Sequence, residues 1–431
     1  MSEKIKQILA WEILDSRSRP TLAVKVILES NEEAEAYVPS GASTGQYEAV
    51  ELRDNDMSRY NGKGLLKAID NVENKIAKIL IGKKVSSQKE IDQAMIELDA
   101  SDNKKNLGAN AILGVSLAVA KAAALHKKQR LYDYLLQFSP HLDGPYNLPL
   151  PMFNVLNGGQ HANWASDIQE YMIIPVKAKS FSSAIKITCE IYQELKEILK
   201  EKNYSLGLGD EGGFSPSFKD NEEPFQLISK ACQKAGYLLG EDIKLAIDAA
   251  ASEFYKDGKY HLKKENKSLN SEELSKFYND LMKKYPIVSL EDVFDENDWS
   301  AFIDFNKKNS VLKQIVGDDI YVTNINKLQR GIKEKASNSI LIKLNQIGTL
   351  TETVEVIHLA YKNNLSYVIS HRSGETEDSF IADFALAMGG GQIKTGAPAR
   401  GERTAKYNRL LSIEKELGPK AKLAEFPFLG K

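Results

Sequence analysis

Residues 339–371 read SILIKLNQIGTLTETVEVIHLAYKNNLSYVISH, in which two short apolar runs flank an amphipathic stretch. The first run, SILIKLN, carries Lys343 near its C-terminal end, and the second, SYVISH, ends in His371. Runs apolar on both faces suit parallel strands covered on both sides. The stretch between them suits the crossover helix of a βα unit. Three earlier runs repeat the pattern: KLAIDAA with Asp248, PIVSLED with Glu291 and QIVGDD with Asp318. Recurrence at intervals of about 25 to 45 residues predicts repeated βα units, whose strand C-termini are where such folds build chemistry. Three carboxylates, a lysine and a histidine are therefore expected to face one another.

The front of the chain has a different rhythm. QILAWEIL, TLAVKVIL and EAEAYV, within residues 5–38, are strand-like and separated by turn formers, which predicts a small antiparallel sheet. From residue 64 onward KGLLKAIDNVENKIAKIL, QKEIDQAMIEL and NLGANAILGVSLAVAKAAAL show helical spacing, and the last is apolar almost all round and expected to be buried. Pro140, Gly144, Pro145, Pro149 and Pro151 then interrupt both helix and strand. The expected division is an N-terminal α+β domain over residues 1–138, a three-stranded antiparallel sheet plus helices, and an α/β domain over 139–431.

Alternating strand and helix fits a closed barrel or a doubly wound sheet. The doubly wound reading calls for a dinucleotide fingerprint, and one GxGxxG occurs at Gly207, Gly209 and Gly212. It encloses Asp210 and Glu211, which would repel a pyrophosphate, so the match is read as chance. There is no GxxxxGK[ST] run, GGGQIKTG around Lys394 included, so a P-loop is not expected.

The 431 residues carry 57 basic and 59 acidic side chains, a formal net charge of −2 that offers nucleic acid or an anionic membrane no general attraction. Cys189 and Cys232 are the only cysteines and lie in no CxxC pair, which argues against a disulfide framework or a zinc site. Both are expected to be buried small hydrophobes. Glu12 and Asp15 interrupt any apolar leader core after Lys4 and Lys6, and no apolar stretch approaches the roughly 20 residues needed to cross a bilayer. A cytoplasmic protein without membrane insertion is the expectation.

Asp248, Glu291 and Asp318 offer only hard oxygen donors, the kind Mg²⁺ prefers. Each alone reads more readily as a helix cap or an ion-paired acid. Converging together, they would repel strongly without a cation among them. Lys343, in an apolar run, needs either an acidic partner or a lowered pKa, and a nearby metal ion would favour the neutral amine that can act as a base. Lysine plus metal suggests proton abstraction next to a carboxylate, where placed cations stabilise the enolate charge. Arg372 and Lys394 add positive charge for an anionic substrate, with His371 and Ser373 beside Arg372 in SHRSGETED. Glu211 in GDEGG and Glu170 in DIQEYMIIP are candidate acids for a leaving group, and His161 follows a glycine pair in NGGQHAN.

The strings VPSGASTGQYEAVELRD, LGANAILGVSLA, GDEGGFSP, VGDD, IKLNQIGTLTET, SHRSGETED and GQIKTGAPAR closely resemble the enolases along nearly the whole chain. The resemblance implies an N-terminal α+β cap on a modified C-terminal (β/α)8 barrel, and reversible dehydration of 2-phosphoglycerate to phosphoenolpyruvate. It implies two Mg²⁺ ions per site: Asp248, Glu291 and Asp318 would hold the first, and Ser40 of the mobile SGAST loop would help hold a second brought with substrate. Lys343 would remove the C2 proton, and Glu211, supported by Glu170, would protonate the departing C3 hydroxyl. His161 would come in on a closing loop, while Gln169, His371, Arg372, Ser373 and Lys394 would bind substrate. A homodimer is implied, with octamers known in the family.

The chain departs from the family pattern at three places. Ser18 and Arg19 stand in DSRSRP where Gly-Asn is usual, Asn163 and Trp164 follow HA where Asp-Asn is common, and Val293 follows Glu291 and Asp292 where Pro or Gly is usual. The second departure adjoins His161 and bears on loop closure and substrate preference. A paralogue acting on a phosphonate analogue would keep the same metals and base, and a scaffold that had lost activity would have no reason to keep them.

Overall fold

The computed structural model describes residues 2–41, 45–141, 146–309 and 312–428. Residues 42–44 of the SGAST segment, and Gly144 and Pro145 of the expected boundary, lie outside the described residues.

Strands β1 (Ile5–Leu14), β2 (Pro20–Leu28) and β3 (Glu33–Tyr37) form an antiparallel sheet in that order. Leu22, Val24, Val26 and Leu28 of the central strand are buried against helix α2 (Ala109–His126), and α1 (Gln88–Asp99) packs on α2 in turn. The approach of α2 to β2 depends on Gly114, where an added Cβ would lie 2.5 Å from Val24 Cγ2. By length and composition α2 could cross a membrane, yet most of it is buried inside the fold, as its apolar circumference predicts.

The segment read as one helix after residue 63 is α-helical over Leu66–Asp70, widens to a π turn over Asn71–Ile76 and returns to α over Ala77–Leu80. The buried Asn71 lies in the widened turn, and its amide donates to the carbonyls of Leu107 (2.9 Å) and Asn106 (3.3 Å). An amide buried without such partners would be costly.

The second half closes into an eight-stranded barrel. Its strands are β4 (Leu150–Asn157), β5 (Glu170–Ile174), β6 (Lys244–Asp248), β7 (Ile287–Glu291), β8 (Gln314–Gly317), β9 (Ser339–Ile342), β10 (Ser366–Ser370) and β11 (Gly391–Lys394). Helices α3 (Phe181–Glu201) and α4 (Glu223–Lys234) follow β5. One long helix then follows each later strand, from α5 (Ser271–Lys284) through α6 (Trp299–Lys308), α7 (Ile325–Glu334), α8 (Leu350–Lys362) and α9 (Phe380–Met388) to α10 (Gly401–Leu417). The periodic pattern thus resolves as a barrel rather than a doubly wound sheet. One strand departs from it: β5 runs antiparallel to both β4 and β6.

Inside the barrel, Met152, Met172, Ala246, Val288, Val316, Leu341 and Val368 meet in one apolar cluster, with Phe426 of the C-terminal tail packed among them. Burying such side chains contributes about 1.5–3 kcal/mol each. Side chains alternate with period two along a strand. Two residues beyond the plug on β4, β6, β8, β9 and β10 therefore stand Asn154, Asp248, Asp318, Lys343 and Ser370, on the same face and toward the C-terminal mouth. On β7 a register shift next to Val288 makes the step three residues, to Glu291. On the reversed β5 the count runs backward, from Met172 to Glu170, which pairs with Asn157 and Asp248.

The N-terminal domain lies on this mouth. Ser40 and Gly374 exchange backbone hydrogen bonds of 2.7 and 2.8 Å, and the Ala49 N–H donates to the Gln346 carbonyl at 2.8 Å. Cys232 is buried as expected, whereas Cys189 on α3 is only half-buried.

Candidate active site

Three ion-pair groups fill the mouth. In the first, Lys394, at the end of β11 and 2 % exposed, reaches Glu291 (2.8 Å), Glu170 (3.2 Å) and Asp248 (3.6 Å). Gln169 donates to Asp248 at 3.3 Å. Burial and the facing charge of Asp248 push Glu291 up to about 8, even with Lys394 beside it. Burial also opposes charge on Lys394, but Glu170, Glu291 and Asp248 outweigh it and hold the ammonium well above the ordinary lysine value.

In the second group Lys343 donates to Asp318 Oδ2, while Gln346 donates to Asp318 Oδ1 at 2.8 Å. Thr323 organises both, accepting from the Lys343 backbone N–H (3.0 Å) and donating to Gln346 Oε1 (2.8 Å). Burial disfavours charge on Lys343, but Asp318 overcomes it and keeps the amine protonated beyond its usual range. The lowered pKa that one sequence alternative allowed is therefore not found here; the acidic partner is.

The third group surrounds Glu211, 2 % exposed in the loop between α3 and α4. Asn154 donates to its Oε2 at 2.9 Å, and Oε1 lies 3.2 Å from His371 Nε2 and 3.5 Å from His161 Nδ1. Burial opposes ionisation of Glu211, but the facing imidazoles and the Arg403 guanidinium outweigh it and hold Glu211 well below the carboxylate range. Glu170, whose carboxylate comes within 4.8 Å of Glu211, is driven the other way by burial and by the charge of Glu211. The two carboxyls are thus pushed in opposite directions, Glu170 up and Glu211 down. Burial lowers both histidines, His371 to about 4.

Arg372 forks onto Glu48 of the N-terminal domain (2.9 and 3.0 Å) and reaches Asn345 at 2.7 Å. Ser373 accepts from Arg17 at 3.3 Å. His161, Gln169, Glu170, Glu211, Asp248, Asp318, Lys343, His371, Arg372, Ser373 and Lys394 all line one cleft. Glu291 does not line it but accepts from Lys394, which does. Ser40 is not in this cleft: its hydroxyl donates to Glu51 (3.0 Å) and accepts from Arg53 (3.3 Å) in a neighbouring recess.

The donor set suits a hard divalent cation. Asp248, Glu291 and Asp318 present only carboxylate oxygens, and the mutual repulsion that raises Glu291 is what such an ion would relieve. Asp292, Asp318 and Asp319 also bring oxygens within 4.8 Å of one another. Both Asp292 oxygens, however, are engaged at 2.9 Å by the backbone N–H groups of Asp318 and Asp319, which makes Asp292 a brace for that turn.

Asp292, Asn154, Gln346, Glu48 and Arg403 were not singled out from sequence. Arg403 had a visible signal: with Tyr407, Leu410 and Ile413 it shares the buried stripe of α10, an odd place for a cation. Of the departures from the family pattern, Ser18 has φ +57°, Asn163 +49° and Trp164 +60°, while Val293 is simply buried. Asn163 and Trp164 line a groove outside the cleft, and Lys263 lies 5.0 Å over the Trp164 ring.

Residues 5–135 match the family model described as the enolase N-terminal domain, and residues 145–429 match that of the enolase C-terminal TIM barrel domain.

Proposed function

The chain belongs to the enolase family of Mg²⁺-dependent dehydratases, and on that premise we propose that it is a phosphopyruvate hydratase, reversibly converting 2-phospho-D-glycerate to phosphoenolpyruvate and water. The observation that carries this reading is the joining of Lys343 and Asp318 in one ion pair at the barrel mouth, in the same cleft as the closely spaced carboxylates of Glu170 and Glu211. Base and acid then stand in one cleft, which Asp248 and Asp318 of the proposed metal set also line, while Glu291 joins them through Lys394.

In this reading residues 1–138 cap a catalytic barrel of residues 139–431. Asp248, Glu291 and Asp318 would hold the first Mg²⁺, and Ser40 would contribute to a second arriving with substrate only on leaving Glu51 and Arg53. Bound there, Mg²⁺ would supply Lewis-acid stabilisation of the negative charge that develops on the substrate carboxylate.

Lys343 takes the C2 proton. It can do so only as a neutral amine, and the carboxylate that keeps it protonated in this structure, Asp318, is one that metal binding would recruit. Glu211, held ionised in this structure, first takes up a proton, which Glu170 is placed to supply, and then delivers it to the departing C3 hydroxyl, so that hydroxide leaves as water. Arg372, Ser373, Lys394, Gln169 and His371 bind the anionic substrate, and His161 closes the cleft beside Glu211.

The direct test is phosphoenolpyruvate formation from 2-phosphoglycerate with Mg²⁺, with chelator and Lys343→Ala as controls. Activity that survives thorough metal removal would break the mechanism. Negligible turnover of 2-phosphoglycerate beside good turnover of a phosphonate analogue would move the substrate, though not the chemistry. The assembly proposed is a homodimer, which light scattering distinguishes from an octamer.

A further inference from the structure

Arg403 is fully buried in the first turn of α10, and its guanidinium is spent on the two loops that carry the proposed acid and its histidine. Nη1 donates to the Arg372 carbonyl at 2.6 Å and lies 2.6 Å from His371 Nδ1. Nη2 donates to the carbonyls of Asp210 (2.9 Å) and Ser373 (2.7 Å).

A guanidinium has donors and no acceptor, and it stays charged at any working pH. The imidazole nitrogen it meets must therefore offer a lone pair, so Nδ1 of His371 is unprotonated and the ring proton is on Nε2. That nitrogen stands 3.2 Å from Glu211 Oε1, its contact there being one of distance rather than an aligned hydrogen bond, and it has no hydrogen-bond partner among the described residues. With Asn154 on Oε2, both oxygens of Glu211 then face an N–H group.

We propose that Arg403 is a positioning residue, which fixes His371 as the Nε2–H tautomer and so sets the acidity and orientation of Glu211 without touching substrate. This rests on the reading that Glu211 serves the C3 step. In the opposite tautomer a lone pair on Nε2 would face a carboxylate lone pair, and Glu211 would turn away from the cleft geometry that the C3 step needs. Lys343 and the C2 step do not depend on Arg403, whose contacts above reach neither Lys343 nor Asp318.

The experiment is ¹⁵N NMR of His371 in the full-length protein at pH 7, with Arg403→Met and the charge-retaining Arg403→Lys, combined with kinetics of both half-steps. The wild-type spectrum should show Nε2–H, and Arg403→Met a mixture of tautomers. In that variant dehydration should fall about 10- to 100-fold, while exchange of the C2 proton with deuterated solvent falls less than about threefold. Arg403→Lys should lie between. Parallel losses of exchange and dehydration, or an effect confined to KM or Tm, would make Arg403 merely structural. An Nδ1–H tautomer or an imidazolium in the wild-type protein would overturn the assignment even if neither variant folds. Should the wild type fail to make phosphoenolpyruvate, the proposed function falls, but the spectrum still reports on Arg403 and His371.

Discussion

The Asp318 carboxylate has two occupants, Lys343 on Oδ2 and Gln346 on Oδ1. A divalent cation recruiting this carboxylate must compete with Lys343 for it. Metal loading would thereby withdraw the counter-ion that keeps Lys343 protonated and allow its proton to pass to solvent. Asp318→Asn should weaken Mg²⁺ binding and leave Lys343 without its counter-ion, and Lys343→Ala should abolish both C2 exchange and dehydration, each loss exceeding about 100-fold. Isothermal titration with Mg²⁺ and solvent-deuterium exchange check the two variants. Wild-type exchange in Lys343→Ala would remove the lysine from its role.

Base and acid are separable because they belong to different ion-pair groups. Glu211→Gln should retain C2 exchange and lose dehydration by about 10²–10⁴-fold. Glu170→Gln should mainly slow the return of the proton, lowering kcat with little change in exchange. Mass-spectrometric deuterium incorporation beside product formation resolves the two, and coupled loss of both steps in Glu211→Gln would count against it.

Metal binding should be proton-linked through Glu291. Its folded pKa, about 8, is raised above the unfolded value, so between roughly pH 4.3 and 8 the metal-free native state holds a proton that the unfolded chain lacks. Metal-free stability from this group therefore falls as pH rises through that window. Mg²⁺ must displace the same proton, so its apparent affinity should rise by up to about tenfold per pH unit until pH 8. Thermal melts with Mg²⁺ or chelator at pH 6 and 8 should show the larger metal-dependent gain in Tm at pH 8.

Ser18 occupies a left-handed turn closed by Asp15, whose Oδ1 accepts from the N–H groups of Arg17 (2.8 Å) and Arg19 (2.9 Å). A side chain at φ +57° costs about 1 kcal/mol, which glycine escapes. Ser18→Gly should raise the denaturation midpoint by a corresponding amount with kcat unchanged, read by urea unfolding.

Trp164 ties the His161 loop to Lys263, and Asp167 of the same loop accepts from the backbone N–H groups of Lys263 (2.9 Å) and Lys264 (3.0 Å). The ring contributes about 0.5–1 kcal/mol. Trp164→Ala should raise KM for substrate about two- to fivefold and speed amide exchange in residues 158–169, while Asp167 keeps the loop in place. Unchanged KM with unchanged exchange would show that the ring holds nothing.

The strand ends were legible because a parallel strand covered on both faces must be apolar until it reaches the mouth, so Asp248, Glu291, Asp318, Lys343 and His371 stood out by position. Glu170 and Gln169 did not, because they begin or precede β5 rather than end it: Glu170 was a candidate acid from its own string, and the role of Gln169 was read only from the resemblance. Asp292 and Gln346 act through backbone and side-chain partners distant in sequence, such as Thr323, which no spacing pattern encodes. The π turn was hidden because a helix with one wider turn keeps almost the same apolar periodicity.

The reversal of β5 also has a consequence of parity. In a regular barrel every link between neighbouring strands travels from mouth to base, but here β4 ends and β5 begins on the same rim, so residues 158–169 never leave it. The next link must also return to the rim it started from, since β5 ends and β6 begins at the base. It therefore needs two helices rather than one, and the bend between them is obliged to visit the mouth, bringing Glu211. One inverted strand thus donates two extra rim segments, which can change length without altering barrel closure. Deleting either α3 or α4 alone would leave the chain on the wrong side of the molecule.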